Sequence, residues 1–204
     1  MIRMRHLIAT LGAAALAACA SAPVQYYTLL PAPDSTETES AAPPANFQFE
    51  LMPVGVPAQD DVPQLVVRQG GQSVALLNGQ RWVAPLADEV RGALAVDLAR
   101  RMHAPDISSG VPAAGKPVLR IKVELRRFDS SPGNYALIDA TWTVRELRSQ
   151  AVLTCSTRIS ESVGQGYGDV VAGHQHALST LAGQIASVAP AMAEGSVPAA
   201  CPAS

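Results

Sequence analysis

Few side chains in this sequence have the types and spacing that catalysis or metal binding requires. Asp60 and Asp61 are adjacent and could share acid–base work, but no nucleophile lies near them, so a solvated loop is the simpler interpretation. His174 and His176 are two positions apart on a predicted helix and point in different directions, which disfavours a metal site. The chain contains no G-x-S-x-G, H-E-x-x-H or phosphate-loop motif. We therefore expect no enzyme activity, no metal and no cofactor.

The clearest chemical signal is a cysteine at the end of an N-terminal apolar run. Arg3 and Arg5 precede the apolar residues 7–18, and this order is typical of a cleaved secretory signal. The motif Leu16-Ala17-Ala18-Cys19 resembles a bacterial lipobox, in which the cysteine carries lipid after cleavage. We expect S-diacylglycerol and N-acyl groups on Cys19; an ordinary cleavage site followed by a chance cysteine is the alternative.

The predicted lipid would determine where the protein resides. Several acyl chains give stable attachment to a bilayer, whereas a single chain gives only marginal binding. Cys19 is followed by Ala20 and Ser21, without the Asp that commonly retains lipoproteins of this type at the inner membrane. We therefore expect the periplasmic face of an outer membrane.

Charge and cysteine content restrict the remaining possibilities. The chain has 15 Lys and Arg against 17 Asp and Glu, and the predicted signal removes two arginines, which leaves the mature part at about −4. This balance gives no basic surface for nucleic acid. Cys155 and Cys201 remain after Cys19 is acylated, in a compartment where disulfides persist. They predict a disulfide, with a free Cys155 beneath the helices as the alternative.

The first half of the chain predicts short strands and one helix. The strands lie at residues 24–30, 47–57, 65–68 and 73–77. Gly70-Gly71 is a plausible hairpin turn and Asn78-Gly79 a second turn. Apolar residues then recur every four positions and predict a helix that begins near Pro85 and ends before Pro105; they are Leu86, Val90, Leu94 and Leu98.

The second half predicts a meander and a second helix. Apolar and polar residues alternate over 119–126, 138–144 and 153–159, which indicates antiparallel strands with one buried face. Residues 129–134 are polar and predict the turn between the first two of these strands. Asp169 is a good N-cap for the second helix, and Pro190 begins an Ala/Pro-rich tail.

These elements predict an α/β (α+β) two-layer sandwich, with two amphipathic helices packed on one face of a mixed, largely antiparallel sheet. Trp82 and Trp142 are predicted structural core residues. The predicted organisation is a lipoprotein signal peptide at 1–18, an anchor, short strand and flexible linker at 19–46, the α/β domain at 47–189 and a tail at 190–204.

The predicted partner surface is polar, because the apolar stripes of both helices and one face of the meander are buried in the core. It comprises the outward residues of the first meander strand and the loop around the acid pair: Arg120, Lys122, Glu124, Arg126, Asp60 and Asp61. The alternative is that these charges merely solvate an exposed sheet face.

Landmarks along the mature chain resemble the PqiC-type ABC-transport auxiliary lipoproteins, the outer-membrane partners of mammalian-cell-entry (MCE) type lipid-transport systems. Beyond Cys19, they are YYTL at 26–29, PVGVP at 53–57, DVPQLVVR at 61–68, RWVAPL at 81–86, FD at 128–129, ATW at 140–142, and a closing helix with Leu181 and Ile185-Ala186. No single motif is specific, but their order and spacing together are.

The resemblance implies a non-enzymatic part in moving lipid between two membranes and maintaining the envelope. It implies a periplasmic MCE-type protein as partner and, through it, an inner-membrane permease and an ATPase, with no nucleic acid; homo-oligomerisation stays open. The alternative function is a structural or assembly lipoprotein of the envelope that acts through protein contacts without handling lipid, and a hydrolase is a remoter one.

Overall fold

The computed structural model describes residues 23–31, 43–198 and 200–202. Within these residues seven strands and two helices follow one another along the chain. They are β1 (Gln25–Tyr27), β2 (Gln48–Leu51), β3 (Gln64–Arg68), β4 (Val74–Trp82), α1 (Leu86–Met102), β5 (Val118–Ser131), β6 (Tyr135–Glu146), β7 (Val152–Ser162) and α2 (Tyr167–Ala193).

The strands form two sheets. The larger sheet has the order β2-β5-β6-β7, with β2 parallel to β5 and the other pairs antiparallel. The smaller sheet has the order β1-β4-β3, with β1 parallel to β4 and β3 antiparallel to β4. The predicted two-layer α/β fold with a mixed, largely antiparallel sheet is confirmed; its division into two sheets was not predicted.

The core lies between the helices and the inner face of the larger sheet. The alternating residues Leu119, Ile121 and Val123 of β5 are fully buried, as their period of two predicts. α2 packs on β6 and β7 along its predicted apolar stripe, and α1 packs against α2. A single buried cluster contains the stripes of both helices and the inner residues of the meander.

Helix α1 begins after Pro85 and ends at Met102, and its C-cap His103 adopts a left-handed conformation with φ 49°. Asp88 and Glu89 occupy the first turn, as expected at the positive end of a helix. Glu89 is also buried, and its Oε2 accepts hydrogen bonds from Thr28 Oγ1 at 2.7 Å and from the Leu29 backbone N–H at 2.8 Å. The carboxylate therefore holds the segment after β1 on the helix.

One predicted turn is wrong, and another, predicted at 129–134, spans only residues 132–134. Asn78-Gly79 is not a turn, because β4 continues to Trp82 and β1 pairs with its last three residues. The register between β3 and β4 shifts between Gln64 and Leu65 to accommodate the longer strand. Asp129 and Ser130 are not in a turn either, since β5 continues to Ser131 and partners elsewhere in the fold satisfy both polar side chains.

Both ends of the second helix also differ from expectation. Gly166, not Asp169, is the N-cap, and the Asp169 carboxylate accepts a hydrogen bond from the Gly166 N–H at 3.0 Å. The helix passes through Pro190 and ends at Ala193, so its last turn includes residues that the sequence assigned to the tail.

The predicted strand over residues 47–57 is interrupted after Leu51. The chain returns to β5 at Gly55, whose N–H donates to the Val123 carbonyl at 3.2 Å and whose carbonyl accepts from the Leu125 N–H at 2.8 Å. A Cβ on Gly55 would collide with the Glu124 carboxylate, so a larger residue here would require that exposed side chain to move.

Candidate functional site

The polar end of β5 faces the hairpin formed by β3 and β4. Asp129 is buried, and its Oδ1 accepts a hydrogen bond from Arg68 Nη2 at 2.9 Å. Arg127 Nη2 contacts the other carboxylate oxygen. Two guanidinium groups therefore neutralise one buried carboxylate where the two sheets meet.

Asp60 lies beside this cluster, in a turn where its N–H donates to the Pro57 carbonyl at 2.9 Å. Only 6% of Asp60 is exposed, whereas Asp61 is exposed. Burial raises the pKa of Asp60 to about 6; the nearby Asp129 charge adds to the increase and Arg68 opposes it. The expectation that Asp60 lies on an exposed, solvated loop is therefore wrong: the turn points its side chain inward, against Arg68 and Asp129.

His174 joins the cluster from α2. Its ring stacks on Phe128 with 3.8 Å between ring centroids, and its Nε2 lies 2.9 Å from Ser130 Oγ. Trp82 contacts the same phenyl ring edge-on at 6.1 Å. Burial lowers the pKa of His174 to about 3, against the opposing effect of Asp129, so the imidazole is neutral at neutral pH.

The Ser130–His174 pair is a poor catalytic dyad. A general base works best with a pKa near the operating pH, and about 3 is far below it. The triad arrangement also needs a third group on the other ring nitrogen, but His174 Nδ1 has no hydrogen-bond partner among the described residues. His176 is exposed. The described residues contain no group of three His, Cys, Asp or Glu arranged to hold a metal ion.

A cleft of 350 Å³ opens between the hairpin and the end of β5. We call it the hairpin cleft; its polar lining includes Asp60, Arg68, Asp129 and Ser130, and its apolar lining includes Val66, Val74, Leu76 and Phe128. Four buried side-chain polar atoms in the described residues have no hydrogen-bond partner. Three of them belong to the group of polar side chains in and beside the hairpin cleft: Asp60 Oδ2, Arg68 Nε and His174 Nδ1.

The outer face of the larger sheet carries the other predicted surface residues, and it is exposed and polar. Arg120 pairs with Glu50 at 2.8 Å, and Arg126 pairs with Asp139 at 2.6 Å. Lys122 and Glu124 are 4.0 Å apart. Neighbouring residues therefore balance much of this charge. We call this surface the outer sheet face.

The tryptophans and the two later cysteines lie in the core and at its edge. Trp82 and Trp142 are both buried. Trp142 Nε1 donates to Thr157 Oγ1 at 3.0 Å, and that hydroxyl donates to Gln184 Oε1 at 2.7 Å. Cys155 and Cys201 form a disulfide with Cα atoms 5.8 Å apart, which joins the segment after α2 to the edge strand β7.

Cys19 lies outside the described residues, as does the whole predicted signal peptide. Within the described part of the chain, neither helix has the length and apolarity that a bilayer span requires.

Sequence reasoning missed most of the hairpin cleft, although one signal was available. Arg68 ends the DVPQLVVR landmark and Phe128-Asp129 is a separate landmark, and the structure joins them through the Arg68–Asp129 ion pair. Trp82, from a third landmark, packs on Phe128. Three separate landmarks therefore meet at one place in the fold.

Comparison with known proteins places these features in a family. Residues 27–186 match the family described as ABC-type transport auxiliary lipoprotein component. A crystal structure of an uncharacterised protein is similar with a TM-score of 0.63 and 16% identity, over 81% of this chain and 97% of that chain. The crystal structure of protein XCC0632 from Xanthomonas campestris, of family DUF330, is similar with a TM-score of 0.59 and 15% identity, over 84% of this chain and 98% of that chain.

At such low identity the two structures bear on the fold alone. No curated protein matches the sequence. The family match spans most of the chain, from β1 to the second half of α2. The chain therefore belongs to the ABC-type transport auxiliary lipoprotein components.

Proposed function

We propose that this lipoprotein is a non-enzymatic, outer-membrane-anchored component of an MCE-type system that moves lipid between the two membranes. The family match carries the proposal, because it assigns the chain to auxiliary lipoproteins of ABC-type transport. An MCE-type periplasmic protein would be the direct partner, and an inner-membrane permease and ATPase would be reached through it. The neutral His174 beside Ser130 supports a role without catalysis.

The anchor in this proposal is lipid on Cys19. Gln25, the first residue of β1, follows Cys19 by six positions. An extended chain spans at most ~3.5 Å per residue, so β1 would lie within roughly 20 Å of the lipidated residue. The domain would then act close to the membrane surface.

The outer sheet face is the proposed docking surface for the periplasmic partner. Its charges are arranged as pairs that neighbouring residues already balance, so a partner would exchange one set of ion pairs for another. Charge complementarity between two docking surfaces mainly determines the orientation of the partners and their association rate. This surface is distinct from the hairpin cleft.

The proposal can be tested with Cys19→Ser in a strain that lacks the native gene. The serine variant should leave the outer-membrane fraction, or accumulate as the uncleaved precursor, and should fail to restore the outer-membrane barrier to a hydrophobic dye. Ser35→Ala in the predicted linker is the matched control and should behave as wild type. If Cys19→Ser keeps wild-type mass, fractionation and barrier function, the anchoring proposal is wrong.

The alternative, an assembly lipoprotein without a role in lipid movement, makes a different prediction. Deleting the gene would then disturb the envelope without changing the rate at which labelled phospholipid passes between the membranes. A slower rate in the deletion strain, restored by the wild-type gene, would support the transport function.

A further inference from the structure

We propose that the hairpin cleft binds the side chain of a lysine from a partner protein, with the ammonium on Asp60 and the methylene stem along the apolar wall of the hairpin. The site lies away from the outer sheet face, and the inference does not depend on the lipid-transport proposal. Four residues carry it: Asp60, Val66, Val74 and Leu76, all of which line the cleft.

The polar end of the site is a carboxylate with unused bonding capacity. Asp60 is 6% exposed, and its Oδ2 has no hydrogen-bond partner among the described residues. A buried charged group without partners is costly, and such groups normally bind a counter-charge. A lysine ammonium supplies both the charge and three donors.

The pairing of charges in this cluster leaves Asp60 as the group that a ligand cation can bind. Asp129 already has two guanidinium partners, Arg68 and Arg127. The Asp60 charge is therefore the one without a direct ion-pair partner in this cluster.

The apolar wall of the site suits an aliphatic stem. Val74 and Leu76 are 49% and 51% exposed, although both are large apolar residues in a strand. They are two positions apart on β4, and Leu76 lies opposite Val66 in the β3–β4 register, so all three project from one face of the hairpin. Lysine side chains pack their methylene groups along such surfaces while the charged end reaches a polar group.

Arg68 Nε offers a second contact to a ligand that carries a hydrogen-bond acceptor beside the ammonium, and the size of the cleft favours a protein side chain as that ligand. This buried donor also lacks a partner among the described residues, while Nη2 of the same side chain binds Asp129. A backbone carbonyl beside the inserted lysine would accept from it. The cleft, at 350 Å³, is near the lower limit for small-ligand sites and admits one long side chain more readily than a whole lipid.

The direct test is NMR titration of the full-length chain in nanodiscs of phosphatidylcholine, which carries no primary amine. The probe is Nα-acetyl-lysine-N′-methylamide, and its Nε-acetylated form, which has no charge, is the matched control. Backbone amide shifts in β3, β4 and the end of β5 report binding. We expect saturable shifts there with the charged probe and binding at least about tenfold weaker with the neutral probe.

Two variant pairs test the residues. Asp60→Asn keeps the shape of the side chain and should weaken binding at least about tenfold, whereas Asp61→Asn on the exposed neighbour should leave binding within about twofold. Leu76→Ser removes part of the apolar wall at a position that is 51% exposed and outside the buried core, so it provides a second test if Asp60→Asn disturbs the structure. It should weaken binding in a protein that still unfolds cooperatively.

Binding should also depend on pH. The charged groups that interact with Asp60 are Asp129 on β5 and Arg68 on β3; Asp129 also contacts Arg127, while the neutral His174 packs against Phe128 and Ser130. Asp60 becomes protonated as the pH falls through about 6, so binding at pH 5 should be about tenfold weaker than at pH 7.5.

Three results would overturn the inference. The neutral probe could bind as well as the charged one, or Asp60→Asn could bind the charged probe as wild type does. Alternatively, monomeric dihexanoylphosphatidylethanolamine could bind through Asp60 at least about tenfold more tightly than the lysine derivative, which would make the ligand a lipid amine and not a protein side chain.

Discussion

Two regions of this molecule, the core around Trp142 and the hairpin cleft, treat buried polar groups differently. Beneath the larger sheet, Trp142, Thr157 and Gln184 form a chain in which each donor finds an acceptor. Beside the smaller sheet, Asp60 and Arg68 each keep a buried polar atom without a partner among the described residues. Partnered polar groups are what a stable core requires, and unpartnered ones are retained where binding uses them. We infer that the core around Trp142 supplies stability and that the hairpin cleft serves recognition.

The largest effect should come from breaking the core of the larger sheet. Trp142 is 1% exposed, and replacing a buried tryptophan by alanine costs about 3–5 kcal/mol. Trp142→Ala should therefore lower the free energy of unfolding by about that amount. Trp142→Phe, which loses the Thr157 hydrogen bond but keeps much of the ring volume, should cost less. Chemical denaturation of both variants checks this, and an unchanged midpoint for the alanine variant would contradict it.

The disulfide should make the next largest contribution. It closes a loop over 46 sequence positions, and such bonds typically stabilise by about 2–4 kcal/mol. Cys201→Ser should lower the melting temperature and make it independent of reductant, whereas reductant should lower that of the wild type. Thiol titration of the denatured wild-type protein is the control. Two free thiols in the wild type before reduction would show that the bond does not form.

The unpaired carboxylate should weaken the fold at neutral pH. The pKa of Asp60 in the folded protein, about 6, exceeds its ordinary value of 3.8. The stabilisation that the protonated carboxyl gives the folded state is therefore complete below pH 3.8 and is lost as the pH rises through 6. Asp60→Asn should therefore stabilise the protein by about 1–3 kcal/mol at pH 7.5 and by much less at pH 4. Denaturation curves at both pH values, with Asp61→Asn as control, measure the difference. An equal effect at both pH values would contradict the buried titration.

The outer sheet face should have the smallest effect on stability and, if it docks the partner, a large one on association. Glutamates in place of Arg120, Lys122 and Arg126 remove exposed ion pairs, which are worth about 0–1 kcal/mol each, and add repulsion from Glu50 and Asp139. The variant should still fold with a lower melting temperature, while pull-down of an MCE-type partner should fall. The same three residues changed to glutamine should give an intermediate loss. A folded glutamate variant with wild-type partner binding would exclude this face.

Regular periodicity made the larger sheet and both helices predictable. Apolar residues recur every four positions over several turns of α1, and they alternate with polar residues along β5. The complete burial of Leu94 and Ile121 agrees with these two patterns. Gly70 and Gly71 take positive φ angles of 99° and 55°, which explains why the β3–β4 hairpin was also visible in the sequence.

The hairpin cleft was not predictable because it depends on irregularities and long-range contacts. A register shift between Leu125 and Arg127 breaks the alternation of β5, so the residues after it are buried out of phase. Asp129 then resembles a turn residue in sequence, although Arg68, 61 positions away, makes it a buried strand residue. The absence of a nucleophile near the acid pair likewise predicted a solvated Asp60, and only the three-dimensional turn at Pro57 shows otherwise.

The attachment of the first strand has a mechanical consequence. β1 runs parallel to β4, and Glu89 holds the two residues that follow it. Tension that pulls β1 along its own axis through the chain before Pro23 would load the β1–β4 hydrogen bonds together, in shear. The load would enter the smaller sheet first, through the strand that carries Val74 and Leu76. A pull on the N-terminus would act on a wall of the hairpin cleft before it reached the core.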